Sequence, residues 1–221
     1  MNYDTILILQ IIMVISPVVS FLYSIKLIQL PNTPVLFKAF FIYNLATLFE
    51  ILLFWLVIFK IINRVTYQYY NLIGLLFNFC FLSFFIIKNY YFSKAIIIFY
   101  SLGLLCLLFT IKSIIPEFNY YTGKALVLPH LGLLILSMVY FVQFYRHNLK
   151  VDLIFDSSFW VITGIFSCSV LVTPLMAIRE FLKQSISLQS FYLFAFIGVL
   201  AYTIMHLFFI KAFVCLIRKL T

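Results

Sequence analysis

Seven long apolar runs follow one another along the chain, and they restrict its possible folds more than any other feature. Each run has about 20 or more mostly apolar residues, the length that an α-helix needs to cross the hydrocarbon layer of a membrane. The runs are about twice as long as the strands of a membrane β-barrel and lack their two-residue alternation, so a barrel is excluded. The predicted spans cover residues 5–29, 35–62, 68–87, 94–113, 125–145, 158–178 and 190–217.

The composition agrees with a membrane location. The chain has 221 residues, of which 66% are hydrophobic and 10% are charged, whereas soluble domains carry about a quarter charged residues. A soluble fold of this size could not bury so much apolar surface. We therefore predict an all-α fold, in which residues 1–221 form a single domain built as a bundle of seven transmembrane helices.

The basic residues indicate the orientation of the bundle and its lipid partners. Lys and Arg outnumber Asp and Glu by 15 to 6 and sit at the ends of the apolar runs, as anchors facing lipid headgroups do. Without a basic stripe or a nucleic-acid motif, no nucleic-acid partner is expected. If the N-terminus is outside, nine basic residues face inward and six outward, so the positive-inside rule favours an N-out, C-in topology. The nine are Lys26, Lys38, Lys88, Lys94, Arg146, Lys150, Lys211, Arg218 and Lys219.

Several polar side chains lie inside the apolar runs, where each needs a partner or a cavity. They occur in the second, third, fifth and seventh runs and are expected to point towards the interior of the bundle, because lipid does not accept them. We predict that they line an intramembrane ligand pocket. The residues are Asn44, Glu50, Asn71, Asn78, His130, Tyr202 and His206.

Three of these residues, Glu50, Asn78 and His206, fall at similar depth and are predicted to form a polar centre. A carboxylate would hold the imidazole of His206 in one tautomer and could exchange a proton with it, so Glu50 and His206 are the predicted pair. Asn71, Gly74 and Asn78 lie on one narrow face of the third run. The alternative is that these side chains only join helices, at roughly 0.6 kcal/mol for each hydrogen bond.

The connection between the fifth and sixth runs concentrates charged residues. It contains Arg146, Asp152 and Asp156. In DSSFW, Asp156 is positioned to cap the sixth helix, and the other charges suit surface ion pairs. The alternative is that this connection docks another protein. In the sixth run, the small residues Gly164 and Cys168 predict close packing against another helix.

Motifs for soluble catalysis are absent. The sequence contains no P-loop, GxSxG, HExxH or glycine-rich nucleotide motif. The three histidines lack the spacing of metal ligands, and the four cysteines lie singly in apolar runs. We therefore expect neither a metal nor a cofactor, and no catalytic residue is assigned.

The order of these features resembles a group of small seven-helix inner-membrane proteins common in Bacteroidetes-type bacteria. The resemblance runs over nearly the whole chain. It rests on four stretches, FIYNLATLFEILLFW, QYYNLIGLLFNFCFLSFF, DSSFWVITG and YTIMHLFFIKAFVCLIRK. It implies a multi-pass fold in a bacterial inner membrane and hints at signalling.

Single residues carry parts of this resemblance. The group often has an acidic residue in the second span, matched by Glu50, and a late histidine, matched by His206. Its phenylalanine-tryptophan pair and glycine are matched by Phe159, Trp160 and Gly164. The group also often has a glutamate in the third span. This chain has no glutamate in that span, so a mechanism with two carboxylates is not carried over.

The sequence supports four functional hypotheses. The first is a receptor-like signalling protein that binds a small or lipophilic ligand in the polar pocket and acts through a separate protein partner. The second is an integral-membrane enzyme acting on lipid, with Glu50 and His206 as acid and base. The third is a proton-coupled transporter with Glu50 as the coupling group. The fourth is a structural subunit of a larger membrane complex.

Overall fold

The computed structural model describes residues 3–58, 61, 64–89, 123–147, 153–181 and 188–221. Over these residues the chain forms α-helices and one 3₁₀ turn and contains no strand, which confirms the predicted all-α class. The fourth predicted span, residues 94–113, lies outside the described residues. The elements are α1 (Tyr3–Gln29), α2 (Val35–Ile58), α3 (Arg64–Lys88), α4 (Gly123–His147), the turn Leu153–Phe155, α5 (Ser157–Phe181) and α6 (Leu188–Leu220).

Three of the described helices are long and apolar enough to cross a membrane. The qualifying stretches are Val35–Leu53 in α2, Ser157–Ile178 in α5 and Phe196–Leu220 in α6. Shorter apolar stretches occupy Met13–Gln29 in α1 and Phe77–Lys88 in α3. These helices indicate a membrane protein. The count of seven spans and the N-out, C-in orientation stay predictions.

The surface of the helices is apolar where a soluble bundle would be polar. On α2, the side chains of Ile42, Leu45, Phe49 and Leu52 are each 47–59% exposed and repeat at helical spacing. Polar side chains on the same helices are buried, among them Asn44, which is 0% exposed. Continuous exposed apolar stripes mark a surface that contacts lipid or another apolar partner.

The described helices close into a ring in chain order. Each helix packs against the next one, and α6 returns to pack against α1. Packing is most extensive between α5 and α6, and among the neighbouring pairs it is least extensive on the two sides of α3. The α5–α6 contact depends on Gly164, since a Cβ there would lie 2.9 Å from the Cβ of Phe208 and 3.0 Å from the carbonyl oxygen of Met205. This agrees with the close packing predicted at Gly164.

The centre of the ring is filled by aromatic side chains around Phe40, which is 0% exposed. Its ring centroid lies 5.1 Å from those of Phe81 and Phe85 on α3. On α6 it lies 5.2 Å from Phe209 and 5.4 Å from Phe213. All four contacts are edge-on, the arrangement that aromatic quadrupoles favour. This aromatic core joins α2, α3 and α6 across the ring, and the polar residues lie next to it along the same helices.

Candidate functional site

A small cavity lies inside the ring, between five of the described helices. Its volume is about 30 Å³, which gives room for roughly two water molecules. Apolar side chains such as Phe79 and Leu133 form part of its wall. The polar and thiol side chains in its wall are Tyr43 of α2, Asn78 of α3, His130 of α4, Cys168 and Ser169 of α5, and Tyr202 of α6. The structure thus brings together three of the predicted site residues, Asn78, His130 and Tyr202.

Three residues of the cavity wall each have a buried polar atom without a hydrogen-bond partner among the described residues. These atoms are Oδ1 of Asn78, Nδ1 of His130 and Oγ of Ser169, and none forms a hydrogen bond within the described part of the chain. Each comes from a different helix. Most buried polar atoms in proteins are hydrogen-bonded, and exceptions often indicate a water or a ligand. The cavity is therefore a place where a polar molecule can satisfy several groups at once.

His130 and Tyr202 form a polar side-chain contact that joins α4 to α6. The hydroxyl oxygen of Tyr202 lies 3.3 Å from Nε2 of His130, and the two rings meet at 73°. His130 is 6% exposed. It directly follows Pro129, which also lines the cavity and cannot donate a backbone hydrogen bond. This contact fixes the imidazole so that Nδ1 is left for another partner.

Glu50 lies beside the cavity and is not part of its wall. Its carboxyl group occupies the space that a Cβ at Gly74 would need. The side chain of Asn78, one turn further along α3, interacts with the carboxyl group, and Tyr43 of the cavity wall lies within electrostatic range of it. Oε1 of Glu50 is buried and has no hydrogen-bond partner in the described residues. Asn78 therefore stands between Glu50 and the cavity.

The predicted pair of Glu50 and His206 is not formed. His206 is 1% exposed, and its ring packs edge-on against Phe209 at 5.6 Å. Its Nδ1 has no hydrogen-bond partner in the part of the chain that is described. Although α2 and α6 meet inside the ring, where the ring of Tyr43 lies 5.9 Å from that of Phe209, Glu50 lies about two turns beyond Tyr43 on α2. Its carboxyl group is placed against Gly74 and Asn78 of α3 instead. Two helices can therefore be in contact without bringing these two polar side chains together.

Asn44 takes part in helix packing instead of the cavity. Its Oδ1 accepts a buried hydrogen bond from Oγ of Ser20 at 3.0 Å, which joins α1 to α2. This agrees with the alternative that some of the intramembrane polar groups hold helices together. Asn71 falls in α3, but its side chain lies outside what the structure describes.

The charged residues before α5 have separate positions. Oδ1 of Asp156 accepts a hydrogen bond from the backbone N–H of Phe159 at 3.0 Å, so the predicted helix cap is confirmed. Arg146 is exposed near the end of α4, and Asp152 lies outside the described residues. A docking role for these three residues stays a prediction.

Two polar residues of the cavity wall, Tyr43 and Ser169, were not predicted from the sequence. Tyrosine in a membrane protein is usually assigned to the interface, and a single serine in a helix commonly bonds its own preceding turn. The available signal for Ser169 was its position next to Cys168, which had been assigned to close helix packing. For Tyr43 the available signal was its position next to Asn44, which was one of the predicted pocket residues.

Comparison of the chain with protein-family models, with curated proteins and with solved structures finds no match. Within the described residues, no three His, Cys, Asp or Glu side chains come together in a way that could hold a metal ion. The groups of the site itself determine its chemistry. They offer a carbonyl oxygen, a hydroxyl group and an imidazole nitrogen to one small polar molecule, next to a carboxyl group on Glu50.

Proposed function

We propose that the chain is a receptor-like signalling protein of a bacterial inner membrane, with seven membrane-spanning helices oriented N-out, C-in. The observation that supports a binding function is that Asn78, His130 and Ser169, which each have an unpartnered buried polar atom among the described residues, line one cavity. Such atoms are costly to bury unsatisfied. A ligand that supplies hydrogen bonds to all three therefore gains affinity from groups that have no protein partner among the described residues.

The size of the cavity restricts how the ligand binds. Drug-sized ligands occupy pockets of roughly 300–1,000 Å³, whereas this cavity measures about 30 Å³. Only a small polar group fits without movement of the helices. Because, of the described helices, α3 makes the least extensive contacts with its described neighbours, we propose that a larger ligand displaces α3 and that this displacement is the signal.

The signal would reach a separate protein at the end of the bundle where α4 connects to α5. Arg146, Asp152 and Asp156 are the proposed docking residues there. Asp156 also caps α5. A movement of the first turn of α5 would therefore move the connection between α4 and α5 as well.

A ligand screen with two wall variants tests the binding function. The purified protein is screened by thermal unfolding in detergent against small alcohols, amides and imidazoles. We expect stabilisation by at least one compound, and we expect Asn78→Leu and Ser169→Ala to remove it. Ser24→Ala is the matched control, because Oγ of Ser24 bonds the carbonyl oxygen of Phe21 in its own helix. A compound that stabilises all variants equally does not bind in the cavity.

Two further experiments test the partner and the topology. Cross-linking in native membranes should recover one protein in proportion to the bait, and recovery of none contradicts the receptor function. C-terminal fusions test orientation, since a fluorescent protein should be bright and a periplasmic phosphatase inactive if the C-terminus is inside. The reverse pattern overturns the N-out, C-in topology.

Proton-coupled transport is the second candidate function, because one observation favours it. Oε1 of Glu50 is buried and unpartnered among the described residues, as expected for a carboxyl group that binds and releases a proton. Substrate-driven proton flux into liposomes that is lost in Glu50→Gln would favour it over the receptor. The lipid enzyme loses its proposed acid–base pair, since Glu50 and His206 are not in contact.

A further inference from the structure

Basic side chains gather at one end of the ring, which we call the basic end. It is formed by the starts of α2 and α5 and the ends of α1, α3, α4 and α6. Ring centroids of Phe37 and Phe85 lie 5.4 Å apart there, and those of Phe144 and Phe159 lie 6.1 Å apart. All but one of its cations are exposed, and Lys38 is half-buried. These cations are Lys26, Lys38, Lys88, Arg146, Lys211, Arg218 and Lys219.

The 3₁₀ turn Leu153–Phe155 lies at the basic end and presents three consecutive apolar side chains. They are 41%, 58% and 65% exposed. The backbone of the turn is held in place, because the carbonyl oxygen of Ile154 accepts hydrogen bonds from Nε1 of Trp160 at 2.9 Å and from Sγ of Cys215 at 3.5 Å. The exposure of these side chains is thus a fixed feature of the fold.

Trp160 and Lys211 form the link between this apolar turn and the cations. The indole ring of Trp160 stacks on Phe208 with centroids 5.7 Å apart. Nζ of Lys211 lies 5.7 Å from the centroid of the same indole ring, within the range of a cation–π interaction. An amphipathic ring next to a long basic side chain is typical of the boundary between hydrocarbon and headgroups.

Within the described residues, Asp156 is the acidic side chain at this end, and its carboxylate is used to cap α5. Among the described residues of this end, seven cations therefore face one side-chain carboxylate. A charge balance of this kind attracts phosphate-bearing headgroups. The exposed apolar turn distinguishes a lipid surface from a soluble anion, because a dissolved phosphate gives no reason to expose Leu153, Ile154 and Phe155 together.

We propose that the basic end binds the headgroups of anionic lipids, with the Leu153–Phe155 turn embedded in the same leaflet and Lys211, held beside Trp160, contacting a headgroup. This interaction is independent of the intramembrane cavity. The acyl chains of the lipids would then cover the apolar turn, and the phosphate groups of the lipids would be the counter-ions of the cations.

Tryptophan fluorescence measures this interaction in the full chain. The sequence contains two tryptophans, so Trp55→Phe leaves Trp160 as the reporter. The protein is reconstituted in vesicles of phosphatidylcholine and phosphatidylglycerol, with bromine quenchers on one lipid or the other at equal mole fractions. We expect brominated phosphatidylglycerol to quench Trp160 more strongly, with a local enrichment of roughly fivefold for each engaged cation. Raised salt should reduce the difference.

Two matched triple variants separate charge from structure. In Lys211→Gln, Arg218→Gln and Lys219→Gln combined, the preference for phosphatidylglycerol should fall. In Lys211→Arg, Arg218→Lys and Lys219→Arg combined, it should persist, because the charges remain. These side chains are at or near the surface, so both proteins should keep their unfolding temperature. Phe155→Ser should weaken quenching by both brominated lipids, because it removes the most exposed of the three apolar side chains of the turn.

Three results would overturn the proposal. One is equal quenching of Trp160 by the two brominated lipids at low salt. Another is a preference that survives the loss of all three charges. The third is a preference abolished by inorganic phosphate at constant ionic strength, which would identify a soluble-anion site.

Discussion

The carboxyl group of Glu50 on α2 fills the space beside Gly74 on α3, where the absence of a side chain lets the two helices share one polar position. A Cβ at Gly74 would overlap with the carboxyl group, and Asn78 interacts with the same group from one turn away. Glycine and glutamate are thus complementary in this contact. The anomaly of a carboxyl group in an apolar helix is resolved by its neighbour on the next helix.

Gly74→Ala should displace Glu50 from this position. Alanine favours a helix over glycine by about 1 kcal/mol, but here its methyl group forces the carboxyl group away from Asn78. We expect a lower unfolding temperature in detergent than for Gly198→Ala. Gly198 is the matched control, since a Cβ there meets nothing within 4 Å. Infrared spectra should show the carboxyl band of Glu50 moving in Gly74→Ala and staying in place in Gly198→Ala.

A double-mutant cycle checks the physical reason for this effect. With Glu50→Ala in the background, the added methyl group at position 74 meets no carboxyl group, so Gly74→Ala should then be neutral or stabilising. Equal effects of Gly74→Ala in both backgrounds would show that Glu50 and Gly74 are not coupled.

The hydrogen bond from Ser20 to Asn44 should contribute measurably to the packing of α1 on α2. It is buried and 3.0 Å long, and removal of its donor leaves Oδ1 of Asn44 without that bond. We expect Ser20→Ala to lower the free energy of unfolding by about 0.6 kcal/mol, the average for such bonds between membrane helices. Thermal or denaturant unfolding in mixed micelles measures it. Ser24→Ala should cost less, because its hydroxyl bonds within α1; an equal cost would contradict the role of the interhelical bond.

The predictions that the structure confirms are those that depend on local sequence or on the polarity of a single side chain. Local signals at Asp156 and Gly164 predicted a helix cap and a close helix contact, and both depend on residues within a few positions or on side-chain size. The inward orientation of Asn78, His130 and Tyr202 followed from the cost of exposing polar groups to lipid. These predictions needed no knowledge of which helices are neighbours.

Lateral order is the information that the sequence did not provide. Glu50 and His206 lie on helices that meet through Tyr43 and Phe209, but the carboxyl group of Glu50 is placed against Gly74 and Asn78 of α3 and not against His206. Gly74 was recognised as part of a polar face of the third span, yet its role as the space for Glu50 appears only when α2 and α3 are placed side by side. Ser169 joined the site for the same reason, through the contact of α5 with α4.

Asp156→Ala should destabilise the start of α5. Its Oδ1 accepts the backbone N–H of Phe159 at 3.0 Å, and loss of an N-cap costs about 1 kcal/mol. We expect a lower unfolding temperature for Asp156→Ala and little change for Asp156→Asn, since asparagine caps as well as aspartate does. If Asp156 also docks a protein, Asp156→Asn should weaken capture of that protein while stability is kept. Equal stability of the alanine and asparagine variants would contradict the capping role.

Gly164→Ala should separate α5 from α6, the most extensively packed pair in the ring. Its Cβ would lie 2.9 Å from the Cβ of Phe208 and 3.0 Å from the carbonyl oxygen of Met205. Because the Met205 oxygen belongs to backbone and the Phe208 Cβ is joined directly to it, the helices must move apart, and overpacking of this kind costs about 2 kcal/mol. Unfolding in detergent should show this loss, whereas Gly198→Ala on α6, the other helix of the pair, should be neutral or stabilising. If Gly164→Ala is as stable as Gly198→Ala, the α5–α6 contact is looser than these distances require.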